Sequence, residues 1–367
     1  MTSSAAPTAP LGVGFLGAGP VTQAIHLPAL ARLTDTLRVQ HIMDVDPAVA
    51  ASVASRAAAA HSSSMEELLA DPAVEIVAIC SPHQFHAEQV IAACRAGKKA
   101  ILCEKPFAMN VDEAKKIAAV SAETGVPIIV GAMHTFDPGW LAATESWGSA
   151  EHWEGLLTDA HTIRSSIVLP PNPRFEDFAT EVRDRPAGNS SNNQATTAQL
   201  AAAEELAQLQ KVLRDGVMGL AIHDLPLVRR FTPDFENIQV LQAKRVKPFG
   251  YVISLQAGTR TIELRAAMNS TWKPEWNFEA ISDDAALRID FTPSYVQAGS
   301  AVATISSGTE TRSYGPYAYN GYEGEWRELA AIAAGSKKAP DAQSLIHDLT
   351  FAISIADAAV ELAGAAS

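Results

Sequence analysis

Three short stretches carry residues whose type and spacing could do chemistry. The first is Gly17-Ala18-Gly19, which follows the apolar run 11–16 directly. Gly17 permits a tight bend after a strand, and Gly19 lets the backbone approach a pyrophosphate with no side chain in the way. A helix opening behind such a turn offers free N–H groups and its positive dipole end to phosphates. The third position of this fingerprint is Thr22 instead of Gly or Ala, so helix and strand are expected to pack less closely. The second stretch is Asp44, which closes the next strand, where an acidic side chain bonds the ribose hydroxyls of an adenosine. A 2′-phosphate would meet repulsion there, and Val45-Asp46-Pro47 supplies no cation. This predicts NAD, with NADP disfavoured; the plainer alternative is a solvated turn aspartate. The third is Glu104-Lys105-Pro106, at the C-terminal end of a further strand, the edge of an open parallel sheet where ligands sit. A lysine there can orient a hydroxyl by charge and ease its loss of a proton. The plainer alternative is a surface charge pair.

These residues need elements to hold them. Short apolar runs at 11–16, 39–43, 75–80, 100–103 and 128–130 read as strands. Between them, helical spacing or capping marks 21–33, 47–60, 64–70, 86–96 and 111–124, with Ser64 as a cap and Gly97 and Gly125 as stops. Strands alternating with helices of this length specify a parallel sheet covered on both faces. The pattern changes after about residue 150. A Pro-rich stretch, a polar segment at 188–194 expected to be mobile, and an Ala/Glu/Leu/Gln helix up to 213 form an insertion near 170–213. Six strand-like runs follow, at 238–244, 251–257, 261–268, 276–282, 286–291 and 301–306, as an antiparallel sheet. Helices return at 323–334 and 344–363. The expected architecture is α/β: a loose tail over 1–10, a Rossmann domain over 11–135, and a second domain over 136–367. That second domain is α+β, with a large, mainly antiparallel open sheet.

The bulk numbers exclude several function classes. With 367 residues, 47% hydrophobic and 19% charged, the chain can bury two cores and is not a disordered one. A net charge of −13 makes nucleic acid or an anionic membrane a poor partner, since both need basic patches. No apolar run approaches the roughly 20 residues of a membrane span, and the first ten residues lack the pattern of a signal peptide. Cys80, Cys94 and Cys103 show no CxxC spacing and read as small buried hydrophobes in a reducing cytoplasm. The histidines show no metal spacing, and no G-x-S-x-G elbow is present, so neither a metal site nor a serine nucleophile is expected.

Together Gly17-Ala18-Gly19, the stretch Ser81-Pro82-His83-Gln84-Phe85-His86-Ala87-Glu88, the run from Ala96 to Pro106, and Phe136-Asp137-Pro138 resemble the Gfo/Idh/MocA family. The resemblance covers most of 11–140 and continues more weakly through 216–230, the β-rich segment and the final helices. It implies a Rossmann domain followed by an α/β domain whose open sheet often serves dimer or tetramer contacts, hence a homo-oligomer. It also implies NAD(P)-dependent oxidation or reduction of a sugar, sugar derivative, glycoside or cyclitol. Cofactor contacts are implied for Gly17, Gly19, Pro20, Val21, Thr22, Asp44, Ser81, Pro82, His83, His86, Glu104 and Lys105. Substrate contacts are implied for Lys105, His134, His223 and Asp224, with Lys105 and His223 catalytic.

His223 falls at the position of the family's acid/base histidine. An imidazole suits that task, because its ordinary pKa near 6.5 lets it take a proton from an alcohol and return it. A helix-face histidine bonded in the core is the plainer alternative. Two departures accompany it: the family's aspartate four residues earlier, one helical turn away on the same face, is Gly219, and Pro226 replaces an acidic residue. Asp224 is adjacent but is expected to point elsewhere. Thr135 replaces a common arginine, which argues against a strongly anionic substrate contact there. Trp272, Trp276, Tyr317, Tyr319 and Tyr322 are assigned no role. Two other readings stand beside it: an enzyme that oxidises a sugar transiently with tightly held NAD to enable glycosidic elimination, as the resemblance implies, and a non-catalytic NAD-binding protein, suggested by Gly219 and Pro226.

Overall fold

The computed structural model describes residues 9–147, 155–156, 158–171, 198–294, 296, 299–308 and 310–365. The tail over 1–8 and the polar segment at 188–194 lie outside them. The chain forms two compact units, one of Met1–Gly131 with Glu325–Gln343 and one of Ala132–Gly324 with Ser344–Ser367. The expected division at 135 therefore moves slightly, and 325–343 belongs with the first unit instead of the second. The cause is packing: Trp326 is fully buried, with its ring 5.9 Å from that of Phe15 in the first strand.

The first unit is a six-stranded parallel sheet in the order β3-β2-β1-β4-β5-β6. Its strands are β1 (Leu11–Leu16), β2 (Leu37–Met43), β3 (Ala60–Ser62), β4 (Ile76–Ile79), β5 (Ala100–Cys103) and β6 (Ile128–Val130). Every residue of β4 and β5 is buried, as a parallel sheet with two covered faces requires. The helices start where the sequence signals them. Asp46 caps Pro47–Ala57, Ser64 caps Met65–Ala70, and Asn110 caps Val111–Thr124, which stops at Gly125 in the left-handed conformation. The expected helix over 47–60 is shorter, because Ala58 turns left-handed and the chain becomes the edge strand β3.

The second unit contains an eight-stranded sheet in the order β14-β13-β12-β11-β7-β10-β9-β8. Its strands are β7 (Thr162–Leu169), β8 (Ile238–Arg245), β9 (Phe249–Ala257), β10 (Arg260–Met268), β11 (Glu275–Ile281), β12 (Ala285–Asp290), β13 (Val302–Ser307) and β14 (Glu310–Tyr314). All neighbours are antiparallel except β7 and β10. One face buries Ile163, Ile167, Leu264, Trp276, Phe278 and Leu287, and the helix Ala198–Gly219 packs on β8 and β9. The other face carries a cross-strand row of charges, in which Glu263, Arg164, Glu279 and Arg288 stand opposite one another on β10, β7, β11 and β12. These pairs are about half exposed, and each contributes at most about 1 kcal/mol. Among the described residues, no helix is long and apolar enough to cross a membrane.

Candidate active site

The turn after β1 has the geometry that its glycines require. Gly17 has φ +102°, and a Cβ there would stand 2.8 Å from the backbone C and O of Cys80 and the N of Ser81. Gly19 faces open space within 4 Å of where its Cβ would be. A side chain at 17 would strike backbone, whereas one at 19 would fill the cradle in front of the helix. Pro20 and Val21 open that helix, which is π-wound over Thr22–His26 before Leu27–Leu30. This arrangement fits the pyrophosphate of a dinucleotide.

Thr22 is bonded into the turn. It is fully buried, and its Oγ1 donates to the Gly17 carbonyl at 2.7 Å, while Gln23 Nε2 donates to the Ala18 carbonyl at 2.7 Å. A hydroxyl at this position satisfies a loop carbonyl that a glycine would leave open. Asp44 is buried, not solvated. Its Oδ2 accepts the Ala18 N–H at 2.9 Å and its Oδ1 the Asp46 N–H at 3.0 Å, so it fastens the turn to the end of β2.

The loops after β4 and β5 leave the same C-terminal edge of the parallel sheet. Ser81 Oγ donates to Gln89 at 2.6 Å, while Pro82 and His83 are exposed. His86 is buried, with Nδ1 2.8 Å from the Pro106 carbonyl and Nε2 2.8 Å from the Ser81 carbonyl. Burial pushes its pKa down against the pull of the two carbonyls, so it ties the two loops together. Lys105 is half-buried, and burial pushes its ammonium below the ordinary lysine value while the Glu104 charge opposes that shift.

Beneath Lys105, Glu104 clusters with His26, Trp326 and Glu325, three residues that the sequence did not single out. Glu104 Oε2 accepts the Lys105 backbone N–H at 3.1 Å, and its Oε1 lies 3.1 Å from His26 Nε2. Trp326 Nε1 donates to His26 Nδ1 at 3.1 Å. Nδ1 is thus an acceptor, and Nε2–H is the donor to Glu104. Burial opposes the Glu104 anion, yet the His26 hydrogen bond and the positive charge of Lys105 hold its carboxyl below the usual range. Glu325 is fully buried 3.9 Å from His26 Nδ1, and neither of its oxygens has a hydrogen-bond partner among the described residues. Burial, reinforced by the negative Glu104, pushes its carboxyl well above the usual range.

A stability prediction follows from Glu325. The folded chain keeps a proton that the unfolded chain releases near pH 4.3, so stability falls as pH rises from there through the folded value. Glu325→Gln removes that proton linkage. The melting temperature of the variant relative to the parent is expected to climb between pH 5 and pH 8. A difference that stays constant with pH in thermal melts would show that Glu325 is ionised.

In the second unit the structure brings His134 and Asp224 together. His134 Nδ1 lies 2.6 Å from Asp224 Oδ1, while Oδ2 accepts Ser165 Oγ–H at 2.5 Å and Trp276 Nε1–H at 2.8 Å. Three donors thus satisfy a fully buried carboxylate. The His134 ring stacks on Phe291 at 3.6 Å. Trp276 therefore has a place in the site's framework, whereas Trp272 is exposed. Asp137, of the Phe136-Asp137-Pro138 motif, is scaffold: it accepts the N–H groups of Gly139 and Ala301.

His223 lies 6.2 Å from His134 between ring centroids, with Nδ1 3.1 Å from the Met133 sulfur. It does not share a helix face with Gly219. The long helix ends at Gly219, His223 closes the tight turn Ala221–His223, and a new helix runs over Leu225–Arg230. Pro226, in that helix's first turn, has no N–H with which to continue the earlier one. Asp224 consequently turns to His134, and Met133 is the partner of His223 Nδ1. A thioether sulfur accepts only weakly, and the Nδ1–H tautomer is the one that can use it.

A Rossmann sheet with a glycine turn at its first strand and a half-buried lysine at the same edge defines an NAD(P)-binding oxidoreductase. Comparison with known proteins agrees. Residues 11–132 match the Gfo/Idh/MocA oxidoreductase family with an NAD-binding Rossmann fold, and the relatives support a dehydrogenase or reductase acting on CH–OH groups. Inositol 2-dehydrogenase 3 of Saccharopolyspora erythraea is 26% identical over 278 residues, 76% of this chain and 72% of that protein. Inositol 2-dehydrogenase of Mycolicibacterium smegmatis is 30% identical over 164 residues, 44% of this chain and 45% of that one. Among solved structures, UDP-N-acetylglucosamine 3-dehydrogenase of Acidithiobacillus ferrooxidans superposes with a TM-score of 0.68 at 17% identity, covering 96% of this chain and 98% of that one. A 3-ketoreductase of Actinomadura kijaniata in complex with NADP gives 0.66 at 17% identity, covering 94% and 96%.

Proposed function

We propose that the chain moves hydride between NAD(H) and a hydroxyl-bearing carbon of a sugar, sugar derivative, glycoside or cyclitol. The observation that carries the reading is Lys105, half-buried at the strand edge that also holds the Gly17–Gly19 turn. When bound, the nicotinamide supplies the hydride acceptor or donor. Lys105 orients the reacting oxygen by its charge, and His223 exchanges the hydroxyl proton at Nε2. Each assignment is supported by the geometry of its own unit. In this reading Asp224, itself fully buried, orients His134, and His134 holds the substrate contact. NAD is favoured because Asp44 puts a carboxylate at the end of β2, and a carboxylate oxygen bonded to one N–H can still accept from a ribose hydroxyl. The names of the relatives and structural neighbours, among them inositol dehydrogenases and a 3-ketoreductase, support a polyol or sugar substrate. A cytoplasmic homo-oligomer is part of the same reading, supported by three free cysteines and the open face of the eight-stranded sheet.

The test is a scan of NAD and NADP reduction against inositols, sugars, sugar acids and glycosides. Steady NADH formation with at least one polyol, and slower formation of NADPH, is the expected result. Cofactor binding with no turnover anywhere in the scan would sink the enzymatic reading, and a preference for NADP would sink the role given to Asp44.

A further inference from the structure

We infer that His26 is a positioning residue for Lys105 and acts through Glu104. The inference rests on the reading that Lys105 orients the substrate oxygen. It starts from a chain of hydrogen bonds confined to the first unit. Trp326 Nε1–H donates to His26 Nδ1, His26 Nε2–H donates to Glu104 Oε1, and Glu104 Oε2 accepts the backbone N–H of Lys105. Each link fixes the next. The indole sets the histidine tautomer, and that tautomer presents a donor, not a lone pair, to the carboxylate.

The elements leave this chain little freedom. His26 has no exposed surface and stands edge-on to Trp326, with ring centroids 5.6 Å apart. The Phe15 ring lies 6.2 Å from it. On the other side of Glu104, a Cβ on Gly131 would lie 3.1–3.3 Å from the carboxylate, so glycine at 131 leaves the carboxylate its room. A glutamate side chain carries rotamer entropy that it would otherwise recover. Here each of its oxygens is held by a donor from a different segment.

The placement matters because Glu104 is the counter-charge of Lys105. Burial drives the lysine toward its neutral form, and the nearby carboxylate opposes that. His26 supplies the hydrogen bond that keeps Glu104 charged despite its own burial. Without that donor the Glu104 anion is less stable and free to rotate, and Lys105 loses protons at lower pH. Other ionisable groups face this cluster. Glu325 and Cys80 face His26, and Cys103 and His86 lie near Glu104.

The decisive measurement is the titration of Lys105 itself in protein free of cofactor and substrate. Lysines are ¹³C-methylated reductively, and the Lys105 resonance is assigned by its loss in Lys105→Met. In His26→Asn, whose amide falls on the Nδ1 side and cannot reach Glu104, the midpoint is expected to fall by about one pH unit. In His26→Gln, whose amide reaches the Nε2 position, it is expected to return close to the parent value. A merely structural histidine would lower the melting temperature of both variants and leave the Lys105 midpoint where it was. An unmoved midpoint in His26→Asn overturns the inference. Should that variant not fold, an unmoved midpoint in Trp326→Phe, which removes only the indole donor while keeping an aromatic ring, overturns it. The pH profile of kcat/KM on the polyol found by the scan separates the two readings. A shifted Lys105 midpoint with an unshifted profile keeps the positioning chain and removes Lys105 from the reaction.

Discussion

Replacing Lys105 by Met is expected to lower kcat/KM on the substrate by roughly 10²–10⁴-fold, the range that a positioned group handling proton and charge contributes. Methionine keeps most of the side chain's length and apolar stem, so packing against the Pro106 loop should survive. The ammonium is what disappears, and with it the charge that orients the reacting oxygen. Lys105 acts on the substrate oxygen in this reading, so the affinity for NADH should change little. Measuring kcat/KM together with NADH fluorescence titrations gives the needed contrast. A variant that retains parental kcat/KM would remove Lys105 from the mechanism, and one that loses NADH binding as well would place it with the cofactor.

The second large effect separates the two glycines of the turn. Gly17→Ala forces an L side chain to φ +102°, which costs about 1–3 kcal/mol. Its Cβ also meets the backbone of Cys80 and Ser81 at 2.8 Å, and backbone cannot rotate away as a side chain can. The turn must shift, and a displacement on the order of 1 Å costs about 10²-fold in a positioned interaction. Both the melting temperature and NADH affinity are expected to fall. Gly19→Ala meets nothing within 4 Å and has an ordinary φ. It should fold like the parent and yet bind NADH weakly, because its methyl occupies the phosphate's approach. Equal loss of stability in the two variants would mean that Gly19 faces protein, not cofactor.

Much of the first unit was legible in the chain because its signals are local. Asp46-Pro47, Ser64, Asn110 and Gly125 mark helix ends within one turn of where they act, and β4 and β5 are continuous apolar runs. What escaped depends on contacts distant in sequence. β7 alternates as a strand should, but Ser165 occupies a buried position and breaks the apolar pattern; Asp224, 59 residues away, accepts its hydroxyl. β14 is an edge strand with polar, exposed residues and so carries no burial signal. The helix assumed around His223 failed for a local reason that was visible: Pro226 already forbade its continuation.

The candidate site divides in the same way. The turn, Asp44 and Lys105 could be named as candidates because their chemistry is written in neighbouring residues. The role of His134 was half visible: the histidine could be placed after the sixth strand, but its carboxylate lies 90 residues away. His26 and Glu325 gave no signal. A histidine and a glutamate in amphipathic helices look like solvated surface until a distant tryptophan covers them.

The return of Glu325–Gln343 to the first unit bears on how this protein is made. A ribosome finishes β1 to β6 by residue 130, yet the tryptophan that covers Phe15 and His26 is joined to the chain about 200 residues later. Until then the nascent sheet carries a buried-type histidine and phenylalanine without their lid, an apolar gap of the kind chaperones recognise. The first unit is thus begun early in synthesis and sealed near its end. A fragment cut after Gly131 would preserve the whole parallel sheet and still lack part of its own core.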